Sequence, residues 1–226
     1  MRPSPRRRWL AISACAGIAL AAGSPPSTPG GYQPGDLAKV EGMVRSGYAD
    51  VAQLPAEKLA ELVGRGDDLL ILDVREEEEH RVSHIAGAIR VDPGIWSSTF
   101  LSRLGQAAKG KKVVLYCSVG VRSSKLAGRV QEGLLAAGAT GVYNLAGGIF
   151  RWHNEQRSLV DDKGPTPLVH PYDANWGGLL LRQEHAATAP RSARMEEPRC
   201  AGAAGAEWRQ VMAGPGRPGP FKESGR

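Results

Sequence analysis

Two nearly continuous apolar runs, each about as long as one strand, constrain most strongly how this chain can fold. Residues 69–74 and 113–117 lack the alternation of polar and apolar positions seen in half-exposed strands, which is typical of strands buried on both faces. Segments with helical patterns separate and follow them, including a predicted helix over residues 123–137. Strands that alternate with helices favour a parallel sheet covered on both faces, so we predict an α/β fold.

Weaker patterns supply further elements around these two strands. Asp36 is a candidate N-cap for a helix in which apolar residues recur at helical spacing, at Leu37, Val40, Met43 and Val44. Further helices are predicted over 55–63, 76–81, 93–104 and 149–156, and further strands over 48–54, 88–91 and 141–145. Ligands bind at the carboxyl ends of the strands in such sheets, and Cys117 lies at one of these ends.

The net charge of +6 belongs to the two ends of the chain. Residues 1–30 contribute +4 and residues 186–226 contribute +3, whereas residues 31–185 together carry −1. The middle of the chain, which contains the predicted strands, therefore offers no basic stripe for a phosphate backbone. We expect no nucleic-acid partner.

The N-terminus has the pattern of a targeting segment. Arg6, Arg7 and Arg8 precede an apolar run over residues 10–20, and small residues up to Ala21 predict a signal peptide over residues 1–21, too short to span a bilayer. Residues 6–10 also resemble a twin-arginine signal, so the export route stays open. Because residues 12–15 resemble a lipoprotein box, we expect membrane attachment only if Cys15 is lipidated. The predicted location is periplasmic or extracellular.

Composition divides the rest of the chain. Residues 22–35 are predicted to be a linker, residues 36–160 a domain with an N-terminal helical extension, and residues 186–226 a disordered tail rich in Gly and Pro. Residues 161–185 include aromatic and leucine side chains and are predicted to pack back on the domain, as a structural extension or as a lid beside the substrate. We expect a monomer.

The loop that follows the second apolar strand carries the chemistry. Backbone N–H groups between a strand and the start of a helix can form an anion cradle, and the helix dipole adds positive potential. Gly120 permits the required backbone angles and Arg122 adds a cation, so the thiolate of Cys117, the nucleophilic form, is favoured over the thiol. A cysteine at the end of an apolar strand is otherwise often a buried structural residue. The predicted cradle consists of Ser118, Val119, Gly120, Val121, Arg122 and Ser123.

Three motifs stand in a fixed order around this loop. They are residues 70–76 with 84–88, the loop 117–123, and residues 144–152. In this order and spacing the stretch from about residue 51 to 159 resembles a single-domain rhodanese-like sulfurtransferase. Ser83 and Ala86 depart from the Gly and Pro that are usual there, but they affect a turn and leave the nucleophile untouched.

The resemblance implies a three-layer domain and a persulfide mechanism. Cys117 would take the sulfane sulfur of a donor such as thiosulfate and pass it to cyanide, a small thiol or a protein thiol, with no cofactor and no metal. Arg122 would assist donor binding, and the Ser123 hydroxyl would form a hydrogen bond at the helix start. The positions expected to be structural near the site are Asp73, Arg75, His84, Gly147 and Gly148.

Two rival functions stay in view. A sulfur-carrier module would accept a persulfide from a partner without turning over free donors, and an intact Cys117 does not distinguish it from an enzyme. Cys-dependent phosphatases and arsenate reductases share the architecture but resemble Cys-x5-Arg, whereas this loop is Cys-x4-Arg. The shorter cradle suits a sulfur atom better than a tetrahedral oxyanion.

The remaining charged and aromatic residues favour structural roles. Asp73 and Arg75 are predicted to form an ion pair, because buried charges need partners. His80 and His84 are spaced as a metal pair on a helix, but no third ligand is evident, so His84 is expected to form a hydrogen bond near a strand start. Residues 76–79 are read as a solvated acidic face at a helix N-terminus, and Trp152 as a core residue.

Overall fold

The computed structural model of the protein describes residues 32–188. Its strands are β1 Ala52–Leu54, β2 Leu69–Asp73, β3 Ile89–Arg90, β4 Lys112–Tyr116, β5 Gly141–Leu145, β6 Leu159–Asp161 and β7 Gly164–Thr166. The first five form one parallel sheet in the order β1-β5-β4-β2-β3, and β6 pairs with β7 as an antiparallel hairpin. The predicted α/β fold is confirmed. Predictions on residues 1–31 and 189–226, including Cys15, lie outside the described residues.

Seven helices in this range connect and flank the strands. They are α1 Leu37–Gly47, α2 Ala56–Gly64, α3 Glu77–Val82, α4 Ser97–Ala108, α5 Val121–Ala136, α6 Gly148–Asn154 and α7 Ala174–Gly177, and a 3₁₀ turn covers Gln183–His185. Among the helices of residues 32–188, none has the length and apolar character needed to cross a bilayer.

A hydrophobic core covers each face of the parallel sheet. Alternate residues of its two central strands point to opposite faces and therefore enter different cores. Ile71 and Val114 face a core built with α1, α2 and α6. Leu72 and Leu115 face a second core built with α4 and α5. This is the reason that both runs read as nearly unbroken apolar sequence.

The predicted N-terminal helical extension is present as α1. Leu37, Val40 and Val44 are buried against the first core, but Met43 is 58% exposed and does not belong to the buried face that the spacing suggested. Asp36 occupies the predicted N-cap position of α1, but its carboxylate accepts a hydrogen bond from the Gln33 N–H and makes no side-chain cap bond to the helix.

Part of the chain beyond the hairpin packs back on the first core. Val169, Leu179 and Leu180 are fully buried there. The Asn154 side chain at the end of α6 donates to the Leu179 carbonyl and accepts from the Leu181 N–H. These contacts hold residues 170–178 beside the carboxyl ends of the central strands.

Candidate active site

Cys117 directly follows β4 and precedes α5, as the sequence predicts. Gly120 has a φ of 101°, a left-handed conformation that a residue with a side chain adopts only with strain, and it turns the chain into the helix. Its N–H points back at the Cys117 Sγ atom at 3.2 Å. The 16-residue α5 thus starts at the sulfur, where its dipole favours negative charge.

The start of α6 holds the cysteine loop from beneath. Ile149 and Phe150 donate their N–H groups to the carbonyls of Cys117 and Ser118 at 2.9 and 3.0 Å. A Cβ atom on Gly148 would overlap the Cys117 carbonyl oxygen. The sequence predicts only a turn at Gly147 and Gly148; the structure adds that the second glycine is needed for this close approach.

The prediction that residues 76–79 form a solvated acidic face is wrong for Glu79. Residues 76–78 are exposed, but Glu79 is only 2% exposed. Its carboxylate accepts hydrogen bonds from both terminal nitrogens of Arg122, at 2.7 and 2.8 Å, and from the Ser118 hydroxyl at 2.9 Å. Val82, three residues later, is buried on the same helix face, and that i, i+3 spacing is the signal that could have identified Glu79 in the sequence.

The ion pair between Glu79 and Arg122 shifts the pKa values of both side chains. Burial alone would raise the pKa of Glu79, but the hydrogen bonds and positive charge of Arg122 outweigh it and hold that pKa below its ordinary value. Burial acts to lower the pKa of Arg122, and the Glu79 carboxylate together with negative charge on Cys117 raises it. Arg122 is therefore a permanent cation whose charge Glu79 compensates.

The other predicted cradle residues take different positions. The sequence predicts a hydrogen bond from the Ser123 hydroxyl at the helix start. The structure shows instead that this hydroxyl donates to the Asn144 side-chain oxygen at 2.6 Å in the core. The reason is that Ser123 is fully buried and faces β5. Val119 is buried under the loop, whereas Val121 is partly exposed at its rim.

Asp73 and Arg75 form the predicted ion pair at the end of β2, both fully buried. Arg75 donates to both Asp73 carboxylate oxygens, at 2.8 and 2.6 Å, and also to the Ser83 carbonyl at 2.6 Å. The Tyr116 hydroxyl donates to the same carboxylate at 2.9 Å. Burial would raise the pKa of Asp73, but the charge of Arg75 and the hydrogen bonds to His80 and Arg75 together outweigh it and hold that pKa well below its usual range. This network braces the turn after β2.

The two histidines of α3 and its end stack on each other. The ring centroids of His80 and His84 are 4.0 Å apart, and the Nδ1 atom of His84 lies 3.2 Å from the His80 carbonyl oxygen, which gives the expected hydrogen bond. His80 contacts the Asp73 carboxylate at 2.8 Å. Within residues 32–188 no group of three or more His, Cys, Asp or Glu side chains is placed to hold a metal ion.

A pocket of about 130 Å³ opens over Cys117. Cys117 is only 1% exposed, so a reactant reaches its sulfur through this pocket. Tyr172 and Trp176 form two of its walls; the sequence predicts an aromatic extension there but gives no signal that these two side chains reach the site. The lining residues are Cys117, Ser118, Val119, Val121, Arg122, Tyr172 and Trp176.

Comparisons with known proteins place the cysteine loop inside a matched region. Residues 55–155 match the family described as Rhodanese-like domain. The chain is 35% identical over 92 residues to the tRNA uridine(34) hydroxylase of Cytophaga hutchinsonii, covering 40% of this chain and 28% of that protein. It is 28% identical over 135 residues to the probable adenylyltransferase/sulfurtransferase MoeZ of Mycobacterium tuberculosis, covering 58% of this chain and 33% of that one.

Among solved structures, the thiosulfate sulfurtransferase of Pseudomonas aeruginosa is similar at 21% identity and a TM-score of 0.40. The similarity covers 56% of this chain and 23% of that chain. The chain thus spans between about a quarter and a third of the length of these three proteins. Tyr172 and Trp176 lie outside the residues that match the family.

Proposed function

Because residues 55–155 form a rhodanese-like domain, we propose that this protein is a sulfurtransferase that moves sulfane sulfur through a persulfide on Cys117. The observation that carries the proposal is the placement of Cys117. Its sulfur faces the Gly120 N–H at the start of α5, at the base of a pocket. The pocket above the sulfur has room for one more sulfur atom.

The transfer takes place in two steps. With thiosulfate, the Cys117 thiolate attacks the outer sulfur, the bond between the two sulfurs breaks, and its electron pair leaves with sulfite. Cys117 then carries the outer sulfur as a persulfide. Cyanide, a small thiol or a protein thiol attacks that sulfur in the second step and regenerates the thiolate, which makes the cycle ping-pong.

The Cys-dependent phosphatase reading loses support at Arg122. Both terminal nitrogens of this guanidinium bind the Glu79 carboxylate, so these donors are already engaged and an oxyanion would have to share them. A sulfane sulfur needs no such cation, because backbone N–H groups can stabilise the persulfide anion.

We expect purified protein to produce thiocyanate from thiosulfate and cyanide, and Cys117→Ser to lose that activity. Mass spectrometry of the protein after donor alone should show one added sulfur on Cys117. Equal thiocyanate production by the wild type and Cys117→Ser would contradict the proposal. A stable persulfide without turnover would instead support the carrier function.

The proposed site of action is outside the cytoplasm, as the N-terminal pattern suggests. The mass of the protein recovered from the periplasm or the medium tests this, because cleavage after Ala21 removes residues 1–21. Recovery of the uncleaved chain from the cytoplasm alone would contradict it.

A further inference from the structure

The wall of the pocket opposite the cysteine loop is aromatic and comes from the C-terminal extension. Tyr172 and Trp176 both line the space above Cys117. On the loop side, Val119 and Val121 contribute apolar surface. The sulfur of Cys117 is therefore approached between apolar side chains.

Tyr172 is held over the site in an unusual backbone conformation. Its φ is 68°, which is uncommon for an aromatic residue and marks a position that the surrounding structure imposes. Its N–H donates to the His170 Nδ1 atom at 3.0 Å. Its ring lies against the Arg122 guanidinium, with 4.9 Å between the central carbon and the ring centroid. The ring therefore covers one face of the cation beside Cys117.

Trp176 is fixed between the two extensions of the domain. Its ring centroid lies 4.8 Å from that of Tyr32, in the segment before α1. The Asp173 carboxylate accepts a hydrogen bond from the backbone N–H of Trp176 at 2.8 Å and caps the short α7. The ring contact with Tyr32 thus positions the indole, and the cap positions its backbone, before any ligand binds.

The charge balance of the pocket disfavours a dianion. Apart from the proposed Cys117 thiolate, the charged lining residue is Arg122, and its ion pair with the buried Glu79 compensates that charge. A thiosulfate dianion would meet no uncompensated cation there, and the Glu79 carboxylate would repel it. An apolar group, in contrast, would gain contact with two aromatic rings and two valines.

Given the proposed sulfurtransferase function, we infer that Tyr172 and Trp176 select a sulfane-sulfur donor that carries an aromatic or apolar carbon group and no more than one negative charge. The pocket volume of about 130 Å³ is close to the ~150 Å³ of an enclosed apolar cavity that binds benzene, and this pocket is also open to solvent, so a ring can enter it. With an organic thiosulfonate, the Cys117 thiolate attacks the outer sulfur and the sulfur–sulfur bond breaks. The electron pair leaves with the sulfinate, and Cys117 keeps the outer sulfur as a persulfide.

The experiment compares three donors that share this chemistry. Full-length protein is assayed with cyanide as the acceptor and with thiosulfate, methanethiosulfonate or benzenethiosulfonate as the donor. Each kcat/KM is divided by the rate of the same donor with free cysteine, which removes differences in intrinsic reactivity. We expect benzenethiosulfonate to exceed methanethiosulfonate by about ten-fold, the effect of burying one ring against an aromatic wall, and both to exceed thiosulfate.

Two variants test whether the aromatic wall is the cause. Tyr172→Asn removes the ring but keeps a residue that tolerates positive φ, and Trp176→Ala removes the indole. In each variant, the normalised kcat/KM for benzenethiosulfonate should become nearly equal to that for methanethiosulfonate. Tyr172→Phe should keep the ratio, because it retains the ring. Trp96→Ala removes an aromatic side chain that is 79% exposed and outside the pocket, and it should keep the ratio as well.

Three outcomes would overturn the inference. They are equal use of the two thiosulfonates by the wild type, a preference for thiosulfate, and a parallel loss with all three donors in Tyr172→Asn and Trp176→Ala. The last outcome would show that the rings only support the loop. Failure of every donor to load Cys117 would instead refute the proposed sulfurtransferase function, so the two failures are distinguishable.

Discussion

Glu79→Gln removes the negative charge that faces Arg122 and leaves the size of the side chain almost unchanged. The carboxylate accepts hydrogen bonds from Arg122, Ser118 and the Glu76 N–H, so it is the central acceptor beneath the loop. A glutamine keeps one oxygen acceptor and presents an NH₂ group where a second acceptor is needed. The variant therefore leaves the guanidinium partly unpaired.

The cost in stability follows from the burial of the pair. Removing one partner of a fully buried ion pair costs about 3–5 kcal/mol. Glu79 is 2% exposed, but the side chain of Arg122 is 23% exposed, so water screens part of the loss. We expect the free energy of unfolding to fall by about 2 kcal/mol and Tm by about 4–8 °C.

Glu79→Gln should also shift donor preference towards thiosulfate. With Glu79 neutral, the Arg122 charge becomes available to a dianion. One unit charge near a protein surface contributes about 1 kcal/mol at the high-dielectric limit, which is about five-fold in a ratio of rates. We therefore expect the kcat/KM for thiosulfate, relative to that for methanethiosulfonate, to rise about five-fold in Glu79→Gln.

Thermal unfolding and the two-donor assay measure both effects on the same samples. Glu77→Gln is the matched control, because Glu77 lies two residues earlier in the same helix and is exposed. That control should stay within about 0.5 kcal/mol of the wild type. A Glu79→Gln protein as stable as the wild type, or one with an unchanged donor ratio, would refute the argument that Glu79 compensates Arg122.

Two further predictions concern the glycine beneath the loop and the response to acid. Gly148→Ala should destabilise the fold and lower sulfur transfer, because the new Cβ would overlap the Cys117 carbonyl, whereas Gly42→Ala, with open space around it, should raise Tm slightly. Tm should also fall as pH drops below 6.5, since burial lowers the pKa values of His84, His153 and His170 and the unfolded chain binds these protons first; His170→Gln should reduce this decline. A second decline should begin below pH 4.5, where Glu79, with its lowered pKa, loses the stability that its ionised form contributes. A flat pH profile from 7 to 5 in the wild type, or full stability of Gly148→Ala, would contradict these expectations.

The cysteine loop was predictable because its determinants are contiguous. A buried strand, Cys117, Gly120 and a helix start follow one another within the range 112–121, so local sequence fixes their relative positions. The two central strands were predictable for a similar reason. Burial on both faces requires apolar residues at every position, and that requirement is visible without any knowledge of the neighbours.

Glu79 was misread because its environment is not local. Four acidic residues in a row are typical of an exposed helix start, and three of them are exposed. Only the docking of α3 against the cysteine loop, 39 positions further along the chain, buries the fourth beside Ser118 and Arg122. No pattern within residues 76–82 reports that a cation will arrive there.

The sequence by itself determined the position of Cys117, the strand–loop–helix unit around it and the parallel sheet that carries it. Tertiary structure decided the electrostatics and the shape of the site: whether Arg122 is free or paired, and which side chains stand above Cys117. Those properties depend on side chains such as Glu79, Tyr172 and Trp176, which are distant in sequence and meet only after the helices and the C-terminal extension pack. Charge compensation and the walls of the pocket depend on contacts between residues that are distant in sequence. Strand burial and loop geometry, in contrast, are properties of short segments.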